Sequence, residues 1–474
     1  MKLKVLAISA MMAAATTVDA APRYVFYFIG DGMGMGHVTT TETYNRTVRK
    51  SAQPLTMMQF PVAGIVQTYS ASSPVTDSAA AGTALSTGVK TKNGMLGMDA
   101  DTTTVYSITR DLMREGYGIG ILTTVAPDDA TPAAFYAHVP SRKMFYEIDC
   151  QAAECPIDFL AGASLRGLKD KEGKPTDVLE RFAKNRVTVT RSLDEARSSL
   201  GRVLFLGNDS INLNDNDLGY TIDSVAAAPS LPEITAACLE KLSSEHDRFF
   251  MMVEGGNIDH AAHANDGGTV IKEIINFNQA IDIAYKFYLA HPKETLIVVT
   301  ADHDTGGMAL SGGYEAVKND LSKIDYQRVS KDRFSDEMRK QIADENFAFL
   351  NWEYYRKTLE RDFGLDKAFT LTFDQTQGLY NKYTQVASRN AESTKGLYNT
   401  FDQFTKELYK IFNTAAGIKW ISGSHSGNPV PVYAIGVGAE QFSSLNNNTD
   451  IPRKIMAAGS PAGSASQDVI NEKK

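Results

Sequence analysis

Asp259 and His263 stand four residues apart, so on one helical turn they share a face and can grip a single metal ion. Glu254 and His260 belong to the same stretch. Further along, Asp302 and His303 are adjacent, and His425 sits inside Gly423-Ser424-His425-Ser426-Gly427. Near the start, Asp31 occupies the glycine-rich turn Gly30-Asp31-Gly32-Met33-Gly34, where backbone can approach a ligand closely. Carboxylates and imidazoles are what hard or borderline metal ions require. Ser78 opens the Ala-rich stretch that ends at Gly88, and a serine at a helix start sits in a positive field suited to phosphate. Arg142 offers a planar fork for phosphate oxygens, and Thr131 a hydroxyl for a hard metal. Each feature alone also has a plain reading as a capped turn or a solvated polar residue; Asp77 or Ser78 caps its helix in either case. Together they point to a multi-metal phosphate site, in which two zinc ions about 4 Å apart clamp the attacking and leaving oxygens of an in-line displacement.

These residues need elements to bring them together. Tyr24-Val25-Phe26-Tyr27-Phe28-Ile29 is an unbroken apolar run, and 248–253, 118–125, 296–301 and 431–437 are strand-like runs made mostly of apolar residues. Strands buried on both faces read this way, which points to a parallel sheet. Asp31, Glu254 and Asp302 each follow such a run, and ligands in open α/β sheets bind at those carboxyl ends. After His263, residues Val270, Ile274, Phe277, Ile281 and Ala284 mark one face of a long helix. From Met308 to Ile421 the pattern becomes amphipathic helix. Met338, Ile342, Phe349, Trp352, Leu359 and Phe363 keep one face, and Leu397, Phe401, Phe404, Leu408 and Ile411 another. That stretch reads as an insertion at about 308–421, forming either a cap or part of a subunit interface.

The 474 residues could make two or three average domains or surround one large sheet, and a 43% hydrophobic content supplies a large core. A formal net charge of −8 argues against nucleic acid or an anionic membrane surface as partner. Lys2 and Lys4, the short apolar run from Val5 to Ala15 and Val18-Asp19-Ala20 have the form of a signal peptide over 1–20. No later run is long and apolar enough to span a bilayer, so the mature chain is expected to be periplasmic or secreted. Cys150 and Cys155 could pair across a short loop in such a compartment, while Cys238 is expected to be buried and free. The Gly/Ala/Ser-rich tail after Met456 reads as loose.

In its ordered motifs the chain resembles the alkaline phosphatases of the bacterial type. The resemblance runs from Tyr24 to about Arg453 through Gly30-Asp31-Gly32-Met33-Gly34, Thr76-Asp77-Ser78-Ala79-Ala80, Asp129-Ala130-Thr131-Pro132 with Ser141-Arg142-Lys143, Val253-Glu254-Gly255-Gly256, Asp259 with His263, Thr300-Ala301-Asp302-His303 and Gly423-Ser424-His425. It implies a three-layer α/β/α sandwich around a large mostly parallel sheet, with one catalytic domain over 21–474. It also implies hydrolysis of phosphate monoesters through a phosphoserine on Ser78, with Arg142 holding two nonbridging oxygens. One zinc would be held by Asp31, Asp302 and His303 and a second by Asp259, His263 and His425. A magnesium ion would be held by Asp31, Thr131 and Glu254, with Asp129 reaching it through water. Histidine–carboxylate sets suit zinc and an all-oxygen set suits magnesium.

His260 stands where some bacterial members carry a lysine that reaches phosphate through water, so the chain departs from their pattern there. The family is commonly dimeric, which makes a homodimer an expectation. Two alternatives remain at this point. One is a phosphodiesterase or sulfatase of the same superfamily, although the Cys- or Ser-x-Pro-x-Arg pattern of sulfatases is missing around Ser78. The other is a non-catalytic exported protein that binds phosphate or metal.

Overall fold

The run Tyr24–Ile29 is a strand, β1, and Val25 through Ile29 are all buried. Having no solvent face, it has no reason to alternate polar and apolar side chains. It lies in the middle of a 10-stranded sheet. The other strands are β2 (Val62–Gln67), β3 (Gly118–Thr123), β4 (Phe159–Gly162), β5 (Thr188–Thr190), β6 (Val203–Leu206), β7 (Phe249–Glu254), β8 (Thr295–Thr300), β9 (Val430–Gly436) and β10 (Ser444–Asn447). Their order across the sheet is β10-β2-β9-β8-β1-β7-β3-β4-β6-β5. Only β9 runs antiparallel to its neighbours, β2 and β8; the other pairings are parallel. Helices cover the sheet to complete an α/β sandwich. This computed structural model describes residues 21–207, 218–223, 229–311, 320–343, 351–388, 394–395 and 400–458.

Register is what makes the site. Ile29 pairs with Thr300 on one side and with Glu254 on the other, and Thr123 also pairs with Glu254. The carboxyl ends of β8, β1, β7 and β3 are therefore level, and whatever follows them emerges along one edge. The helix Gly267–Ala290 buries Val270, Ile274, Phe277, Ile281 and Ala284, the face its sequence spacing defines.

Between β8 and β9 lie the helices Lys331–Ala343, Trp352–Phe363, Phe373–Ala387 and Gln403–Ala416. Aromatic rings close them on one another: Tyr355 meets Tyr383 at 4.8 Å and Phe363 meets Phe412 at 5.3 Å between centroids. Ala309–Leu310 pairs antiparallel with Ile418–Lys419, so the segment leaves and rejoins the sheet at one place. Its apolar stripes divide differently from the sequence pattern. The face expected through Met338 and Phe363 belongs to two helices, and Phe349 and the side chain of Ile342 lie outside the described residues. Leu397 also lies outside them, and Phe401 sits in a two-residue strand, Thr400–Phe401, ahead of the helix capped by Asp402.

Cys150 and Cys155 do not flank a loop. Cys150 is inside the helix Phe145–Glu154 and Cys155 caps its end; all three cysteines are free thiols, and Cys238 is buried. Five residues at about 100° each place the two side chains on different sides of a helix, which keeps them from pairing. Among the described residues no helix is long and apolar enough to cross a membrane. The signal-like segment 1–20 and the tail from 459 lie outside the described residues.

Candidate active site

Two residues past the paired Ile29 and Thr300 come Asp31 and Asp302, followed by His303. All three are buried. His303 Nε2 lies 3.4 Å from Asp31 Oδ1 and 3.2 Å from Asp302 Oδ2. The turn after β1 holds this geometry through Gly32, whose N–H donates to Asp302 Oδ1 at 3.0 Å. Gly32 has φ of 67°, and a Cβ there would come within 2.8 Å of Asp259 Oδ1, so both conformation and space require glycine. After β7 the helix Asn257–His263 carries Asp259 and His263 on one face, with His263 Nε2 3.4 Å from Asp259 Oδ2. His425 comes from a short strand paired with Asp304–Thr305, and its Nε2 lies 3.0 Å from His263 Nε2 and 3.8 Å from Asp259 Oδ1. Two groups of side chains result, Asp259 with His263 and His425, and Asp31 with Asp259 and His303; within each, the ligand atoms lie within 4.8 Å of one another.

The donor set fits cations. His263 Nδ1 faces the Gly423 carbonyl at 2.8 Å and His425 Nδ1 faces the Thr76 carbonyl at 2.9 Å. Each Nδ1 therefore carries the proton, which turns an Nε2 lone pair of each ring toward the other and toward Asp259. Lone pairs facing one another repel unless a positive charge lies between them. Asp31 Oδ1 and Glu254 Oε1 are buried with no hydrogen-bond partner among the described residues, and buried acceptors of that kind are costly. Burial first, then Asp302, Asp259 and Glu254, pushes Asp31 well above the usual carboxylate range. Burial also raises Glu254 to about 8 and Asp302 to about 7. Asp259 goes the other way: burial raises it, but His263, His425 and His303 outweigh burial and hold it well below the usual range. Burial, then the neighbouring His425, keeps His303 neutral by lowering it well below an ordinary histidine.

Ser78 begins the helix Ser78–Thr87 and is almost fully buried. Asp77 caps that helix, accepting from the Ala80 N–H at 3.0 Å, and Gly88 ends it with a left-handed φ of 73°. Ser78 Oγ lies 3.3 Å from His303 Nε2, which puts a hydroxyl directly against the carboxylate–imidazole cluster. Arg142 reaches the same helix start, with Nη1 3.5 Å from Asp77 Oδ2, and donates from Nη2 to Asp129 Oδ1 at 2.8 Å. Thr131 Oγ1 lies 3.5 Å from Asp302 Oδ2.

Not every expected partner is in direct contact. Glu254 Oε2 accepts from Thr123 Oγ1, and Asp129 is engaged by arginines rather than by the other carboxylates. One of those arginines, Arg166, went unmarked in the sequence. Its Nη2 lies 2.5 Å from Asp129 Oδ2, and its backbone N–H donates to Asp128 Oδ2 at 2.6 Å. It stands on the turn Arg166–Leu168, outside any motif, so only the folded loop reveals it. Burial would raise Asp129, but Arg166, Arg142 and then His260 overcome it and hold the carboxyl well below its ordinary range. His260, buried on the helix Asn257–His263, is near enough for its charge to lower both Asp129 and Glu254. Thr305 was also unmarked; its Oγ1 donates to Asp259 Oδ1 and lies 3.2 Å from His303 Nδ1.

A sequence model of the family described as Alkaline phosphatase matches residues 22–158 and 191–460. Alkaline phosphatase 4 of Bacillus subtilis is 31% identical over 449 residues, covering 92% of this chain and 89% of its own. A cold-active alkaline phosphatase from a psychrophilic Shewanella sp. superposes with a TM-score of 0.76 at 26% identity, covering 91% of this chain and 98% of its own. A mutant of the alkaline phosphatase from the Antarctic bacterium TAB5, with Mg bound in its M3 site, superposes with a TM-score of 0.63 at 25% identity, covering 92% and 97%.

Proposed function

The chain belongs to the alkaline phosphatase family, and from that premise we propose that it hydrolyses phosphate monoesters through a covalent phosphoserine on Ser78. The observation that carries this reading is the buried Ser78 hydroxyl at a helix start, 3.3 Å from His303 Nε2 in a cluster of carboxylates and imidazoles. The enzyme is a metal-dependent phosphomonoesterase. Asp31, Asp302 and His303 would hold one zinc, Asp259, His263 and His425 a second, and Asp31, Thr131 and Glu254 a magnesium ion that Asp129 reaches through water. When bound, these cations supply Lewis acidity, favouring ionised oxygen and neutralising the charge of the ester.

The chain's own residues do the rest. Asp77 and the first turn fix Ser78 so that Oγ attacks phosphorus, forming the Ser–O–P bond as the ester P–O bond breaks on the opposite side. Arg142 holds two nonbridging oxygens with its planar fork, a geometry that lysine cannot reproduce. The leaving oxygen departs on the side of Asp259, His263 and His425. Water then cleaves the phosphoserine, returning the Ser78 hydroxyl and releasing inorganic phosphate. His260 completes the rim with Asp129, as a further contact to substrate.

Three wider readings go with this one. The pattern over 1–20 supports export to the periplasm or the medium. The pairing of Ala309–Leu310 with Ile418–Lys419 supports reading 308–421 as an insertion in a single catalytic domain over 21–474. A homodimer is proposed from the family alone, and sedimentation of the mature chain would test it.

The decisive assay sets a chromogenic phosphate monoester against the matching diester and sulfate ester, with native chain and Ser78→Ala. The native chain should prefer the monoester, and Ser78→Ala should lose turnover by about a thousandfold or more. Near-normal activity in the variant overturns the serine assignment, and a preference for diester or sulfate overturns the substrate class.

A further inference from the structure

Beside the site, the helical segment forms a cleft of about 520 Å3, within the size range of small-molecule pockets. Lys331, Lys406, Lys410 and Lys419 line it, with Glu407 as the sole acid of the lining and Trp420 as its aromatic wall. Lys406 and Lys410 are one helical turn apart on Gln403–Ala416, on the face that also carries Gln403 and Asn413. Like charges in that spacing destabilise a helix, so they serve no local purpose. Neither lysine makes an ion pair among the described residues, and Glu407 faces Lys382, outside the lining, at 3.8 Å. Lys419 Nζ has only the neutral Thr414 hydroxyl, at 3.1 Å. Lys331 forms the inner end, donating to the Ala264 carbonyl at 2.7 Å over the Phe401 ring. On a chain of net charge −8, Lys406, Lys410 and Lys419 against Glu407 make a local field of the opposite sign, while Lys331 is buried and already feels the charges of Asp266, Asp332 and Asp402.

Its position matters as much as its charge. Ser422, Gly423 and Asn265 also line the cleft. Asn265 Nδ2 donates to the Ser422 carbonyl at 2.8 Å, and the Gly423 carbonyl is the partner that orients His263. The backbone that aims His263 and leads to His425 is thus the wall shared with the lysines. That is the side on which the leaving group departs.

We propose that this cleft receives a second phosphate carried by the leaving group, so that bisphosphates are preferred over otherwise identical monophosphates. The inference rests on the monoesterase reading for the direction of the leaving group, and on the cleft itself for the ligand chemistry. A second phosphate dianion would meet Lys406 and Lys410, the two lysines of the lining that share one helix face and have no ion pair among the described residues.

The test uses hexane-1,6-diol bisphosphate and the matching monophosphate. For the native chain at low ionic strength, kcat/KM should favour the bisphosphate by about tenfold beyond the factor of two for its two esters, the low end of what a cleft of one sign delivers. The preference should fall toward unity in Lys406→Gln/Lys410→Gln, and in the native chain as salt is raised. Calorimetric titration of Ser78→Ala with the same bisphosphate gives a readout free of turnover; adding the two lysine substitutions should weaken binding about tenfold. A native preference near unity, or one that survives the double substitution, overturns the proposal while leaving the hydrolase reading intact. Lysine-dependent binding in a native chain that hydrolyses neither ester overturns the hydrolase reading and leaves the anion cleft standing.

Discussion

The cluster at the ends of β8, β1 and β7 and the rim around Asp129 treat buried charge in opposite ways. In the cluster, Asp31, Asp302 and Glu254 are crowded together with burial as the dominant influence, and all three are pushed up. At the rim, burial also pushes Asp129 upward, yet Arg166 and Arg142, with His260 behind them, reverse the sign and hold the carboxyl ionised. The side chains differ in setting as well: Arg142 and Arg166 are 24% and 17% exposed, whereas Asp302 and His303 have no exposure at all. A rim that carries its own counter-charges is complete in the polypeptide. A cluster that does not is an arrangement whose energy is lowered by cations from outside.

Metal removal should break that contrast most visibly. Chelation is expected to abolish phosphomonoesterase activity and to lower the thermal midpoint, with both restored by zinc and magnesium. The direction with pH follows from the raised carboxyls. Burial takes Asp302 to about 7 and Glu254 to about 8, above their unfolded values. In the metal-free chain their neutral forms are favoured, so stability is fully present below about pH 4 and is lost as pH rises through about 7 to 8. The midpoint of the chelated chain should therefore fall between about pH 5 and pH 9, while the loaded chain resists that fall because cations prefer the ionised ligands. A chelated chain whose midpoint does not fall toward pH 9 would show that the cluster is not strained by its own charge.

The second test separates the two arginines of the rim. Arg142→Lys removes the fork proposed to hold phosphate, and kcat/KM should drop about a hundredfold. Arg166→Lys leaves that fork in place and loosens only the Asp129 support behind it. Its effect should be about tenfold, expressed mainly in KM and in weaker inhibition by inorganic phosphate. Equal losses in kcat for both would mean that Arg166 itself touches the transferred phosphate. No loss for Arg166→Lys would reduce its contact with Asp129 to a structural ion pair.

The same contrast explains what could be read from the sequence. Residues delivered by level strand ends were legible, because the apolar run Tyr24–Ile29 and its counterparts announce a buried parallel sheet and the polar residue after each run must emerge at its edge. The Asp259–His263 spacing and the cap at Asp77 were legible for a similar reason, since local helix geometry fixes them. Arg166, Thr123 and Thr305 were not, because their partners are chosen by how loops and neighbouring strands meet, and nothing within a few residues records it. The cysteine pair was misread by the same blindness. Cys150 and Cys155 are close in sequence but placed by a helix whose extent the local pattern did not reveal.

Glu273 offers the smallest effect and the cleanest control, being a buried carboxyl whose partners, Thr221 and Asp223, belong to neither arrangement. It lies on the helix Gly267–Ala290, is 3% exposed, and accepts from the Thr221 N–H at 2.7 Å. Burial raises it to about 7 despite that hydrogen bond. Its neutral form is the stable one, so its contribution is fully present below about pH 4.5 and is lost as pH rises through about 7. Glu273→Gln keeps a carbonyl acceptor for Thr221 and removes the charge. The thermal midpoint should therefore rise by about 2 °C near pH 9 and stay level near pH 5, with or without metal. A gain that disappears on chelation would tie Glu273 to the cluster, and the penalty for buried charge would then belong to the site as a whole rather than to each carboxyl on its own.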